Sequence, residues 1–164
     1  MAEPGYLSWA RAQIGTRETP GPANTPKIMQ WAAAVGSAAL GIAYGGDHVP
    51  WCGLFAARAM KEAGIAPPKI AVRASSWGSW GRAISPRVGA ILVFKRDGGG
   101  HVGFYVGEDF SCYHVLGGNQ GDRVSITRIE KARLVACRWP GGLEAYTKPL
   151  VLRSTGVPVS KSEA

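Results

Sequence analysis

A thiol, an imidazole and an amide stand out by type and by setting. Cys52 follows Val49-Pro50-Trp51 and begins a run in which Cys52, Phe55, Ala56, Ala59, Met60 and Ala63 recur at spacings of three and four. That is the period of a helix with one apolar face. Gly64 stops the run. A cysteine in the first turn of a helix meets backbone N–H groups that lack an intrahelical acceptor and carry partial positive charge. These groups favour the thiolate, which is the nucleophilic form, and can hold the oxyanion formed when it attacks a carbonyl. The competing reading of Cys52 is a small buried hydrophobe.

His101 opens a strand pattern directly after Gly98-Gly99-Gly100. Alternation puts His101, Gly103 and Tyr105 on one face and Val102, Phe104 and Val106 on the other. Gly103 leaves room beside the imidazole, where the helix start bearing Cys52 is expected to fit. The imidazole can then take the thiol proton and later protonate a leaving amine. Leu116-Gly117-Gly118-Asn119-Gln120-Gly121 follows the next strand. Asn119 is placed to accept the distal imidazole N–H and fix the tautomer, as third member of a Cys-His-Asn set. Gln120 can take that role instead or contact substrate, and Gly-Gly-Asn is also ordinary turn chemistry. His48 competes as base from the loop before Cys52, whereas His114 on a strand reads as structural. A metal site would combine Asp47, His48 and Cys52 with another histidine, but no paired ligand spacing supports one.

The elements that must position these groups follow in order. Tyr6 to Gly15 reads as a helix with Leu7, Ala10 and Ile14 inside. Thr25 reads as an N-cap and Pro26 as the first residue of a second helix ending at Gly36, with Ile28, Trp31, Ala32 and Val35 buried. Ser37 to Ala43 suits a short helical turn, and the cysteine helix follows. Trp77 and Trp80, among glycines and serines, suit a groove wall, with core packing of at least one as the competing reading. From Pro86 the pattern turns to strands: 88–95, 101–106, 112–116, 123–129 and 134–139. Helices first and a meander afterwards indicate an α+β fold with a five-stranded antiparallel sheet. The domain is read as residues 1–140, and 141–164 as a tail, extended or partly disordered.

The 164 residues suit one domain, and 46% hydrophobic against 18% charged residues exclude a disordered chain. A net charge of +8 favours anionic partners, but the Lys and Arg are scattered and no aromatic-basic RNA-binding motif occurs. Nucleic acid is therefore not expected as a partner. The first residues lack the basic start and apolar core of a signal peptide, and no apolar run is long enough to span a membrane. Cys52, Cys112 and Cys137 do not form a disulfide framework; three free thiols is the simplest state, with a Cys112–Cys137 pair as the alternative.

Four segments occur in a telling order: Pro50-Trp51-Cys52 at a helix start, Gly100-His101-Val102-Gly103-Phe104-Tyr105 on a strand, Gly117-Gly118-Asn119-Gln120 after the next, and the closing Arg138-Trp139-Pro140. Together they resemble the CHAP and NlpC/P60 group of bacterial and phage peptidoglycan hydrolases, with the small single-domain CHAP-like branch as the nearest match. Ile14-Gly15, Glu18-Thr19-Pro20-Gly21 and Ser76-Trp77 to Gly81 share in the resemblance, which covers roughly residues 6–140. It implies a papain-like fold and a thiol hydrolase that cuts an amide in wall peptide stems, as endopeptidase or N-acetylmuramoyl-L-alanine amidase. It implies Cys52 as nucleophile, His101 as base and then acid, and Asn119 as orienting residue, meeting in an open groove. Substrate contacts are expected from Trp51, Tyr44, Trp77, Tyr105 and Gln120. Papain-like proteases carry a glutamine six residues before the cysteine as an oxyanion donor; here that position is Gly46, so Tyr44 or a backbone N–H is the candidate donor. No cofactor or metal is implied, the partner is bacterial peptidoglycan, and a monomer is expected. The protein would be made in the cytoplasm and act on the periplasmic or extracellular wall after phage-lysin-like release or injection. The alternatives are a papain-like peptidase with a non-wall substrate, and a non-catalytic wall- or nucleic-acid-binding module.

Overall fold

The computed structural model describes residues 3–152, 159–161 and 163. Four helices lead: α1 (Gly5–Ala12), α2 (Pro26–Val35), α3 (Ser37–Leu40) and α4 (Cys52–Glu62). A 3-10 turn at Ala74–Ser79 precedes six strands: β1 (Arg82–Ala83), β2 (Ile91–Arg96), β3 (Gly99–Glu108), β4 (Cys112–Gly117), β5 (Ser125–Glu130) and β6 (Leu134–Trp139). They form one sheet in the order β1-β6-β2-β3-β4-β5, with every neighbouring pair antiparallel. The architecture is α+β. The sixth strand, absent from the sequence expectation, is β1: two residues paired with Trp139 and Arg138 are too few to give an alternation signal.

Local chemistry explains most of the helix boundaries. Pro26 stands at the start of α2, where its missing N–H costs nothing. Thr25 occupies the cap position, but its hydroxyl donates to Arg17 O and its amide donates to Asp47 Oδ2 at 2.7 Å. It therefore ties two loops together instead of capping. α1 ends at Ala12, before Gly15, which leaves Ile14 47% exposed rather than inside, while Tyr6 is buried.

α4 lies at the centre, packed on α1 and α2 on one side and β3 on the other. Leu54 and Ala57, which fall off the single apolar stripe read in the sequence, are therefore buried as well. Arg58 stays partly wet: its guanidinium lies 4.8 Å from the Trp9 ring centre and pairs with Glu62 at 2.9 Å. Trp9, Trp31, Trp51 and Phe55 form a continuous chain of ring contacts beneath the start of α4. Packing these four rings at one point, Trp9 half-buried and the other three buried, fixes that helix end far more firmly than propensity would.

The sheet is apolar on both faces. Val93, Val102, Phe104, Val106 and Leu116 join the helical core, while Leu92, Phe94, Tyr105, Tyr113, Val115, Ile129 and Trp139 form a second core behind it. The described part of residues 141–164 is bound to the sheet. Thr147 Oγ1 donates to Val88 O at 2.6 Å, Leu150 N to Tyr105 Oη at 3.0 Å, and Leu152 N to Glu108 O at 2.6 Å. Further on, Val159 bridges Arg128 of β5. The expectation of a partly disordered end falls in part outside the described residues. No helix among the described residues is long and apolar enough to cross a membrane.

Candidate active site

Cys52 is the first residue of α4, and no side chain caps that helix end. The cap residue, Trp51, has no acceptor to offer; its indole Nε1 instead donates to Glu18 Oε1 at 3.0 Å. The opening amides of α4 therefore keep their positive character beside the sulfur.

Residues 117–120 bring the imidazole to this point. A Cβ on Gly118 would lie 2.6 Å from Phe55 Cβ and 2.8 Å from Trp51 Cε3, so only glycine lets the turn rest on the first turn of α4. His101 Nε2 and Gln120 Oε1 are 2.8 Å apart. The roles in that hydrogen bond follow from the other end of the amide. Gln120 Nε2 donates both hydrogens, to Val115 O at 3.1 Å and Ser125 O at 2.7 Å. Oε1 is thus the atom facing the ring, and as an acceptor it requires His101 to carry its proton on Nε2. Nδ1 then keeps its lone pair and takes no hydrogen bond among the described residues. A Cβ on Gly117 would come within 2.6 Å of Gln120 Oε1 and 3.4 Å of His101 Nε2, so this glycine protects the pair.

Cys52 and His101 act on each other's ionisation. Burial pushes the Cys52 thiol up, but the hydrogen-bonding and charge of His101, the Val102 N–H and the Arg96 charge outweigh it and bring the thiol below its ordinary value. Burial pushes the imidazole down, but the Cys52 thiolate, Gln120 and the Glu163 carboxylate outweigh it and raise His101 above its ordinary value. Both shifts favour a thiolate–imidazolium pair. No hydrogen bond of standard geometry links the imidazole Nδ1 to the sulfur. Contacts of this kind commonly tighten only when substrate docks.

The side chain that hydrogen-bonds the His101 ring is Gln120, and Asn119 does not reach it. Asn119 has φ +60°, the left-handed conformation of a tight turn, and its buried Oδ1 takes no hydrogen bond among the described residues. Nor does Gly103 make room for α4: a Cβ there would press on Val115 Cγ1 at 2.5 Å and Leu116 O at 3.1 Å, on the neighbouring strand.

Three expected substrate contacts are core residues. Trp51 is fully buried in the aromatic chain; Trp77 is fully buried with Nε1 donating to Ala71 O; Tyr105 is fully buried in the second core with its hydroxyl donating to Glu108. Aromatic size drew each of them under neighbouring elements that the sequence does not place. Tyr44 is half-buried, and its hydroxyl donates to Val49 O at 2.9 Å, so its proton is committed. Gly46 at the position of the papain glutamine faces Asn24 and the His48 ring. His48 is exposed, and Asp47 is engaged by the amides of Thr19 and Thr25. His114 donates to Asp109. All three cysteines are free.

Two charged residues near the site carried no sequence signal of that role. Arg96, whose Nε donates to Gly100 O at 3.0 Å, holds the hairpin that leads into His101 and favours the Cys52 thiolate. Glu163, buried against Arg133, favours the imidazolium from the far end of the chain. The pair does not lie in an open groove: Cys52 keeps 5% of its surface and His101 none. The chain matches no protein-family model and no curated protein.

Proposed function

We propose that this chain is a papain-like thiol hydrolase that cleaves an amide bond in the peptide stems of bacterial cell wall, as an endopeptidase or N-acetylmuramoyl-L-alanine amidase. The observation that carries the proposal is the amide of Gln120. With both hydrogens spent on carbonyls it can only accept from the ring, and that leaves a basic Nδ1 for Cys52. The wall as substrate rests on the resemblance of the motifs around Cys52, His101 and Gly117-Gly118, and the net charge of +8 suits an anionic envelope.

In this reading the Cys52 thiolate adds to the amide carbon. The opening amides of α4 hold the oxyanion, and the imidazolium gives its Nδ1 proton to the departing amine. A thioester remains on Cys52. His101 then takes a proton from water, hydroxide attacks the thioester, and the carboxylic acid leaves with the thiolate restored.

The near-complete burial of Cys52 and His101 favours a second reading, a non-catalytic domain that keeps the fold. Digestion of purified sacculi, with mass analysis of released fragments, separates the two. Release of new amine and carboxyl ends by the parent, and none by Cys52→Ala, supports the hydrolase. Equal release by both overturns Cys52 as the nucleophile, and release by neither together with an alkylation-resistant Cys52 supports the second reading.

A further inference from the structure

Glu163 is a carboxylate with no exposed side-chain surface. Arg133 meets it with both terminal guanidinium nitrogens, and the Ser160 hydroxyl donates to it as well. Arg133 Nη1 also donates to Ser160 O at 3.2 Å, and Ser160 N donates to Arg128 O of β5 at 2.8 Å. The described residues 159–161 and 163 are thus clasped to β5 and to the 3-10 turn Lys131–Arg133 that precedes β6. A buried ion pair does little for stability by itself, because desolvation offsets most of the attraction. The position of this one gives it a second use.

Arg133 Nε donates to Lys95 O on β2 at 3.0 Å. Lys95 pairs across the β2–β3 ladder with Gly100, the residue before His101. One rung further, Phe94 pairs with His101 on one side and with Leu134, the residue after Arg133, on the other. Leu134 and His101 are therefore two strand spacings apart, about 10 Å. Arg133 and the carboxylate it holds lie at that same end of the sheet. His101 keeps no exposed surface either. With both groups out of water, a charge acts across such a distance far more strongly than on a wetted surface. Burial pushes the Glu163 carboxyl up, but Arg133, Ser160 and His101 outweigh it and hold it below its ordinary value. Burial lowers His101, and Cys52 from α4, Gln120 from the turn after β4 and Glu163 raise it, while Arg96 acts on Cys52. Gln120 bonds the ring but is neutral, so Glu163 supplies the fixed negative charge in this set.

We infer that Glu163 is a positioning residue of the reactive pair: clasped by Arg133 against β2, its carboxylate keeps His101 protonated beside the Cys52 thiolate. The inference rests on the reading of Cys52 and His101 as the reactive pair. It extends that site to a segment beyond the last strand.

The test follows the His101 ring by NMR as a function of pH, in the full chain carrying Cys52→Ala, so that no catalysis is needed. Glu163→Gln should lower the titration midpoint of the ring by about half a unit. Glu163→Asp, which keeps the charge, should restore most of that shift. Lys161→Gln, at a neighbour paired with Glu130 at 3.6 Å, should leave the midpoint in place. A lower Tm in Glu163→Gln with the midpoint unmoved makes Glu163 a structural clasp only and overturns the inference. Should that variant fail to fold, a chain ended before Val159 removes carboxylate and clasp together. A fall in its midpoint supports the inference, and an unmoved midpoint overturns it. With Cys52 restored, the alkaline limb of kcat/KM for wall-peptide cleavage should move down with the midpoint in Glu163→Gln, and a limb that stays while the midpoint moves overturns the role in the reaction. A parent that cleaves nothing overturns the hydrolase instead, and the NMR midpoints then decide the coupling of Glu163 to His101 alone.

Discussion

Two buried histidines of this chain give the same atom to a side-chain oxygen. His101 donates Nε2 to the Gln120 amide at 2.8 Å, and His114 donates Nε2 to the Asp109 carboxylate at 2.7 Å. His114 has the stronger kind of partner, because a charged acceptor roughly doubles the strength of such a bond. Yet its surroundings are closed on themselves. Asp109 also receives Arg128 at 2.8 Å and the amides of Ser111 and Cys112, so this carboxylate is engaged on both oxygens. Around His101 the Nδ1 atom takes no hydrogen bond among the described residues, and the Cys52 thiol, at a helix start, is near enough to raise the imidazole. An oriented imidazole is thus common to both places. What separates the two places is the group beside the ring: a thiol at a helix start for His101, and an ion-paired carboxylate for His114.

The largest losses are expected at Cys52 and His101. Cys52→Ala and His101→Ala should each lower the rate of wall-peptide cleavage by at least about 10³-fold, with the fold intact by circular dichroism. His114→Gln should leave kcat within about twofold, because its bonds point away from the chemistry.

Gln120→Ala removes the acceptor of the His101 Nε2 proton. It should cost about ten- to a hundredfold in kcat/KM, and it should also move the pH profile. Activity needs the thiolate–imidazolium pair, so it rises through the lowered thiol value and falls through the raised imidazolium value. Losing an acceptor that raises His101 brings the alkaline limb to lower pH. Asn119→Gly, which keeps the left-handed turn, should leave that limb in place.

A third effect belongs to the clamp. Arg128 and then His114 and neighbouring amides hold the Asp109 carboxyl well below its usual range, against the opposing effect of burial. A depressed folded value means stability that is present above the ordinary carboxylate range and lost as pH falls through it. Asp109→Asn should therefore lower Tm at pH 7 by roughly 5 °C. The gap to the parent should narrow below about pH 4.

The smallest effect contrasts two thiols. Burial pushes Cys137 up to about 12, whereas Cys52 lies below its ordinary value. Iodoacetamide at pH 7 should label Cys52 first, and Cys137→Ser should leave that rate unchanged.

Much of the frame was legible because periodicity is a backbone property. The start of α4 at Cys52 and the last strand, Leu134–Trp139, fall where pattern and breakers put them. The faces of β3 also alternate as read, with Val102 and Phe104 toward the helices and Tyr105 away from them. Choices that depend on what lies across the fold were not legible. Trp51 and Trp77 are amphipathic enough for a groove wall, and only the elements packed over them decide otherwise. Asn119 and Gln120 are adjacent and chemically alike. The positive φ at 119 turns the chain so that the second of them faces His101, and no composition rule predicts that angle. Leu54 and Ala57 could be assigned to the interior only once α4 was known to be covered on two sides.

The bond from the Trp51 indole to Glu18, together with the grip of Asp47 on Thr19 and Thr25, has a practical consequence for anyone re-using this scaffold. Aim of the reactive sulfur is set by a bracket assembled from the first quarter of the polypeptide. A minimal graft cut to begin near residue 44 would carry every reactive group and still misdirect the sulfur, so transplantation should take the leading loop along with the helix it steadies.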